Sequence, residues 1–134
     1  PSFERTGVEF GKEECFVVRT VTMAGTVSIE SAASERACVT PRDIFPPAAP
    51  RGLSTVGSAG VISLIWDANT EPDVVGYLVL RGEAPGDTLQ PLTPASIKET
   101  TYRDTTVTPG VRYVYAIVAV DSAKPANTSP QSTT

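Results

Sequence analysis

The feature that most constrains the fold is an internal repeat. When the first 21 residues are shifted forward by 99 positions, they fall on similar residues without a gap. The matching pairs are Phe3 with Tyr102, Thr6 with Thr105, Val8 with Val107, Gly11 with Gly110, Phe16 with Tyr115, Val18 with Ile117 and Val21 with Val120. A repeat length of this size fits one β-sandwich domain of about 100 residues. The chain is therefore expected to hold parts of two copies of one unit.

The apolar pattern predicts strands and no helices. Apolar residues do not recur at helical spacing over three turns, and 12 prolines and 10 glycines interrupt the sequence. Short apolar segments separated by turn residues are typical of all-β domains. The predicted strands cover residues 15–21, 35–39, 52–56, 61–66, 76–81, 102–104 and 111–120.

A proline-rich stretch divides the chain. Four prolines lie between positions 40 and 50, where they remove the backbone donors that a sheet needs. We therefore predict that residues 1–45 are the C-terminal part of one module and end in a semi-rigid linker. Residues 46–134 are predicted to be a second, nearly complete module. Because Pro1 aligns with Thr100, the first copy is expected to begin inside its module.

Several segments of the second module resemble the fibronectin type III family. The resemblance rests on Pro47 and Pro50 ahead of Leu53, and on the segments ISLIW (62–66), GYLV (76–79) and VTPGVRYVYAIVAV (107–120). The stretch WDANTEPDVVGY (66–77) looks like the variant common in secreted and envelope-anchored bacterial proteins. The resemblance implies an immunoglobulin-like β-sandwich and a bacterial source.

Strand alternation independently predicts the core. Each of three strands carries apolar residues on one side: Ile62, Leu64 and Trp66; Tyr77 and Val79; Tyr113, Tyr115, Ile117 and Ala119. In the family's pattern, a tyrosine a few residues after a Pro-Gly turn bonds back to the backbone near that turn, and Tyr113 occupies that position. In the first copy Glu14 stands there, so its corner needs another form of stabilisation.

The two cysteines predict a disulfide. Cys15 aligns with Val114, on the side of its strand away from the core, and Cys38 lies in the strand expected to pair with it. Antiparallel neighbours bring Cα atoms within reach of a disulfide. Two free thiols are the alternative. A redox role is disfavoured because no basic residue flanks either cysteine in a way that lowers a thiol pKa.

Charge and composition exclude several functions. The formal net charge is −4, so electrostatics does not favour binding to nucleic acid. The chain has no histidine, which removes histidine-dependent catalysis and zinc ligation. The longest apolar run, residues 113–120, is too short for a membrane-spanning helix. We predict no enzyme activity and assign no catalytic, cofactor-binding or metal-binding residue and no cofactor.

One acidic loop admits two interpretations. Asp67, Asn69, Glu71 and Asp73 alternate along it and suggest calcium ligands, but the glycine and the final glutamate of an EF-hand loop are absent. Capping of the loop backbone by these side chains is the preferred interpretation.

The far side of the long strand is also apolar. Val114, Ala116, Val118 and Val120 lie opposite the core side. Either neighbouring side chains cover them, or this sheet surface packs against another module or a partner. The first explanation is preferred because single exposed apolar residues are common.

These observations predict a non-catalytic spacer or protein-interaction module of an exported, bacterial, multi-module protein, located outside the cell or in the cell envelope. The alternative is an accessory carbohydrate-binding or linker module of a secreted polysaccharide hydrolase. The expected partner is a protein or neighbouring module. A second copy of the chain, or the missing strands of the first module, would pair with the uncovered strands of residues 1–45.

Overall fold

The computed structural model describes residues 1–86 and 88–132 and contains only β-strands within them. The chain forms two compact units, Pro1–Asp43 and Ile44–Thr134. The strands are β1 (Glu14–Phe16), β2 (Val21–Ala24), β3 (Val27–Glu30), β4 (Ala37–Val39), β5 (Ser54–Ser58), β6 (Val61–Ile65), β7 (Val74–Glu83), β8 (Gln90–Pro91), β9 (Thr101–Asp104) and β10 (Tyr113–Asp121). The predicted all-β immunoglobulin-like fold is confirmed.

The second unit is a sandwich of two antiparallel sheets. One sheet has the order β5-β6-β9 and the other the order β10-β7-β8. The longest pairing joins β10 to β7, with Tyr113 opposite Glu83 at one end and Val120 opposite Gly76 near the other. Both strands carry apolar residues on both sides, as expected of strands covered on each face.

The core lies between the two sheets. Leu64 and Trp66 come from the first sheet and its edge, and the second sheet contributes Tyr77, Val79, Tyr115, Ile117 and Ala119. The predicted core parity is therefore confirmed. Trp66 is 3% exposed and meets the ring of Tyr77 edge-on at 5.7 Å between centroids.

Two serines complete the free edge of β10. Ser129 donates its amide to the Ala119 carbonyl and accepts the Ala119 amide on its hydroxyl, both at 2.9 Å. Ser132 forms the same pair of bonds with Ile117, at 2.9 and 3.0 Å. Each serine thus satisfies a buried backbone donor that would otherwise lack a partner.

The first unit is a two-part hairpin. β1 pairs with β4, placing Cys15 opposite Cys38, and β2 pairs with β3 across a two-residue turn. Gly25 occupies the first turn position with a φ of 66°, a left-handed conformation that glycine adopts without strain.

Serines also join the two parts of this hairpin. Ser31 exchanges amide and hydroxyl bonds with Thr20, and Ser34 does so with Val18, each at 2.9 Å. Val18 is the repeat partner of Ile117 and the serines are again three residues apart, so both units have the same edge pattern. The preceding turns also agree, because Gly11 and Gly110 both have positive φ values, of 77° and 85°.

Three features of the strands differ from the prediction. The strand expected over 15–21 is interrupted between β1 and β2, where serine hydroxyls replace the backbone acceptors of a regular ladder. β3 and the short β8 were not predicted. β7 extends beyond the predicted 76–81 at both ends, because its pairing with β10 continues there.

Candidate functional site

The hairpin of the first unit is closed by a disulfide. Cys15 and Cys38 are bonded, with their Cα atoms 4.0 Å apart. Both residues are exposed, on the side of the strands expected to face away from a core. The Glu13 carboxylate lies 3.9 Å from the Cys15 Sγ. This acidic neighbour does not favour a reactive thiolate.

The most concentrated polar cluster of the second unit joins its two sheets. Arg81 on β7 donates to the Asp104 carboxylate on β9 at 2.8 Å, and the Tyr115 hydroxyl donates to the same oxygen at 2.8 Å. The Thr106 amide and hydroxyl donate to the other oxygen at 2.9 and 2.7 Å. Asp104 is 1% exposed, so this carboxylate is buried but fully hydrogen-bonded.

These contacts fix the charge of the cluster. Burial acts to raise the pKa of the Asp104 carboxyl, but the bonds from Thr106, Tyr115 and Arg81 outweigh burial and lower the pKa from 3.8 to about 2. Burial and the bond to Asp104 raise the pKa of Tyr115. The hydrogen bond to Asp104 also raises the pKa of Arg81. The ion pair consequently stays charged across the neutral range.

The cluster around Asp104 is suited to holding the two sheets together and not to proton transfer. A general base needs a free lone pair and a pKa near the working pH. Asp104 accepts four hydrogen bonds and has a pKa far below that range. Asp104 therefore acts as a structural link between the two sheets.

Tyr113 forms the predicted corner. Its hydroxyl accepts the Thr108 amide at 3.0 Å, which confirms the bond back to the turn. The Arg81 guanidinium lies 4.9 Å from the centre of the Tyr113 ring, a cation–π contact. The corner and the ion pair thus share one arginine.

The first unit has different residues at all three equivalent positions. Arg5, Glu14 and Phe16 align with Asp104, Tyr113 and Tyr115. Arg5 pairs with Glu14, with 3.4 Å between Nε and Oε2. The corner position of the first unit thus carries a partly exposed ion pair in place of a bond to the turn backbone.

The acidic loop bonds to its own backbone and to the backbone of Ala48 in the preceding segment. The Glu71 carboxylate accepts the Ala48 amide at 2.7 Å and the Thr70 amide at 3.1 Å, while the Asn69 side chain donates to the Ala48 carbonyl. The bond from Ala48 is the main cause of the lowered pKa of Glu71. These contacts favour loop capping over the calcium-loop interpretation.

Asp121, at the end of β10, organises the next turn. Its carboxylate accepts the amides of Ala123 and Asn127 and the Asn127 side chain, at 2.7–3.1 Å. Burial acts to raise the pKa of Asp121, but these bonds lower it. This carboxylate is buried and is also satisfied internally.

Neighbouring side chains cover the far side of β10. Ala116 and Val118 are buried together with Leu80, and Leu78 and Leu89 pack against them. The structure thus favours the first of the two explanations given for this apolar face.

The side of the first hairpin that corresponds to the core side of β10 is exposed at Val18 and half-buried at Phe16. Val18 is 70% exposed, whereas its repeat partner Ile117 is 0% exposed. Phe3 is also exposed, while its partner Tyr102 packs against the core of the second unit.

Two elements of these sites were not predicted from the sequence. The Arg81–Asp104 bridge was missed because it joins strands far apart in the chain. Its one local signal is the position of Arg81 at the end of an apolar strand, where a charged side chain needs an acidic partner. The serine pairs have a local signal, since a Ser-x-x-Ser spacing occurs at both 31–34 and 129–132.

In the part of the chain that the structure describes, there is no helix with the length and apolarity required to cross a membrane.

Comparison with known proteins identifies the family. The chain matches no family model. It is 31% identical over 137 residues to Exoglucanase B of Cellulomonas fimi, covering 98% of this chain and 12% of that protein. It is also 31% identical over 80 residues to an amylopullulanase of Thermoanaerobacterium thermosulfurigenes, covering 60% of this chain and 4% of that protein. The chain thus spans a small part of these relatives.

The family assignment rests on similarity to a solved structure. An Fn3-like protein from Clostridium thermocellum is 30% identical, with a TM-score of 0.52, covering 66% of this chain and 91% of that one. The fold, the tyrosine corner and this similarity agree. The chain belongs to the fibronectin type III family.

Proposed function

We propose that the chain is a non-catalytic spacer or protein-interaction segment of an exported bacterial multi-module protein, and that this parent protein is a polysaccharide hydrolase. The observation that carries the proposal is the match to Exoglucanase B, in which 98% of this chain aligns with 12% of a much longer protein. The buried Asp104 and Asp121 carboxylates support it, because both accept their hydrogen bonds from within the fold.

The proposed organisation is modular. Residues 1–45 are the closing part of one module, and residues 46–134 form a second. The shared serine pairs and the positive φ values of Gly11 and Gly110 support this assignment. The disulfide supports a location outside the cytoplasm, since structural disulfides are typical of exported domains.

A spacer is favoured over a carbohydrate-binding module. Trp66, Tyr77 and Tyr115 are at most 4% exposed and lie in the core, so their rings are not available for stacking on sugars. Tyr102 and Tyr113 are half-buried, and the exposed aromatic side chains of the described residues are three phenylalanines far apart in the sequence: Phe3, Phe10 and Phe45.

Depletion assays test this proposal. The chain is mixed with granular starch and with microcrystalline cellulose, and the protein left in solution is compared with that of an inert protein and a known carbohydrate-binding module. A spacer stays in solution with the inert protein. Saturable depletion by either polysaccharide would instead establish carbohydrate binding, and single variants Phe3→Ser, Phe10→Ser and Phe45→Ser would show which ring contributes.

In a second arm, the chain is placed between a hydrolase catalytic domain and a binding domain. The chain should support more activity on the insoluble substrate than direct fusion of the two domains. Equal activity of the two fusion proteins would contradict the spacer role.

A further inference from the structure

We propose that the free edge of β5 pairs with the same edge of a second copy of this chain, so that two second units join into one continuous antiparallel sheet. This inference goes beyond the proposed spacer function, because it assigns an interaction surface to the chain itself. Every residue that carries it lies in the second unit.

The other strand edges of the second unit are protected against pairing. The serine pairs with Ile117 and Ala119 occupy the free edge of β10. β8 is two residues long and contains Pro91, and β9 carries the exposed Arg103. Covering segments, prolines and charges are the usual means by which proteins prevent unwanted strand addition.

β5 has none of these protections. Its sequence, Ser-Thr-Val-Gly-Ser, contains no charge and no proline, and all five residues are exposed. β6 pairs with one side of β5, and no strand among the described residues pairs with the other side. The backbone donors and acceptors along that edge can therefore bind a further antiparallel strand.

The strand is complementary to itself. When two copies of β5 run antiparallel about a two-fold axis at Val56, Ser54 lies opposite the second copy's Ser58, and Thr55 lies opposite the second copy's Gly57. No like charges meet in this pairing. Gly57 has open space where a side chain would stand, which leaves room for the Thr55 side chain. Val56 lies opposite its own copy, as one cross-strand apolar pair.

The outer face of the sheet adds apolar surface beside this edge. Val56 is 67% exposed, and Ile65, on the same face, is 55% exposed. Both residues line a groove of about 370 Å³ that also includes Ser63, Thr101 and Arg103. Pairing of two β5 strands places two such grooves on one face of the joined sheet and removes Val56 surface from water.

These features select a second copy as the occupant. A closed two-fold interface uses the same patch on both partners, and an uncharged strand meets this condition without repulsion. One five-residue strand buries less area than stable interfaces usually do, so the association should be weak and should require high protein concentration.

Sedimentation equilibrium of the full chain tests the proposal. The wild type should shift from monomer towards dimer between roughly 10 µM and 1 mM protein, since interfaces of this size are weak. Val56→Lys places two cations opposite each other and should abolish the dimer. Thr101→Lys adds the same charge to β9, at the opposite edge of the same sheet, and is the matched control that should still dimerise. Trp66 fluorescence during denaturation checks that both variants remain folded.

A mixture of opposite charges tests the register. Val56→Glu alone should also be monomeric, because two anions then meet at the axis. An equimolar mixture of Val56→Lys and Val56→Glu should dimerise again, because opposite charges meet there. This recovery is expected from a pairing that brings Val56 opposite its own copy and not from a contact elsewhere on the chain.

Three results would each overturn the proposal. The first is a wild type that stays monomeric at the highest concentration. The second is a dimer that persists in Val56→Lys or is lost equally in Thr101→Lys, because the contact would then lie elsewhere. The third is a mixture that stays monomeric. The polysaccharide depletion assay is made at low concentration on monomeric chain, so its result on the spacer function is independent of these outcomes.

Discussion

Arg81 Nη1 lies 2.8 Å from Asp104 Oδ2, and this contact ties the two sheets of the sandwich together. Arg81 is three-quarters buried at its side chain and Asp104 is almost completely buried. A buried ion pair of this kind contributes little relative to apolar packing, but removing one member leaves an unpaired charge. The stability of the second unit should therefore decrease when either Arg81 or Asp104 alone is substituted.

Asp104→Asn should destabilise the second unit by about 3–5 kcal/mol, because Arg81 loses its anion and stays largely buried. The measurement is chemical denaturation followed by Trp66 fluorescence at neutral pH. Glu99→Gln, which removes an exposed charge, is the matched control and should change stability by less than about 0.5 kcal/mol. Equal effects of the two substitutions would show that the bridge does not stabilise the fold.

The same bridge predicts an acid-dependent loss of stability. The pKa of Asp104 is lowered in the folded state from 3.8 to about 2. A lowered carboxyl pKa stabilises the fold above the unfolded-state pKa, by about 2 kcal/mol here. This contribution is lost as pH falls from about 4 to about 2. The stability difference between the wild type and Asp104→Asn should decrease over that window, and parallel pH profiles would contradict the assignment.

Substitution of the two equivalent serines, Ser132 and Ser34, should change stability by different amounts. Ser132→Ala leaves the buried Ile117 amide without an acceptor, which should cost about 1–3 kcal/mol. Ser34→Ala is the natural control, since its bond to the Val18 amide lies in an exposed hairpin. Amide exchange, which reports on both units, should accelerate more at Ile117 in Ser132→Ala than at Val18 in Ser34→Ala, and the Trp66-monitored transition should shift in Ser132→Ala. Equal acceleration at the two positions would contradict this explanation.

The core follows from the sequence because it depends on strand alternation, and Leu64, Val79 and Ile117 have the expected parity. The pairing of the two strands that carry Cys15 and Cys38 also follows from the sequence, because they are the two strands of one predicted hairpin. The Arg81–Asp104 bridge does not follow, because it depends on how two sheets stack. β3 was missed because it is only four residues long: residues 27–30 do alternate apolar and polar side chains, but all four are exposed and belong to no core pattern.

Trp66 should dominate the packing energy of the second unit. Trp66→Ala is expected to cost about 3–5 kcal/mol through the cavity it leaves. Its Nε1 is buried without a hydrogen-bond partner among the described residues, so Trp66→Phe loses no hydrogen bond and should cost less. Iodide should quench the single tryptophan poorly in the folded chain. Efficient quenching would place Trp66 at the surface and restore sugar stacking as a function.

The disulfide should control the first unit alone. Cys15 and Cys38 are 23 residues apart, and closing a loop of that size stabilises by roughly 3 kcal/mol. In a Cys15→Ala, Cys38→Ala double variant, the amides of Val18 and Ser34 should exchange with solvent much faster, because an isolated hairpin is marginal in water. Trp66 fluorescence reports in the same sample that the second unit remains folded.

Thiol titration of the denatured, unreduced wild type should find no free sulfhydryl. If exchange at Val18 were the same with and without the disulfide, the serine pairs and the Arg5–Glu14 ion pair would be sufficient to hold the hairpin, and the disulfide would have no structural role.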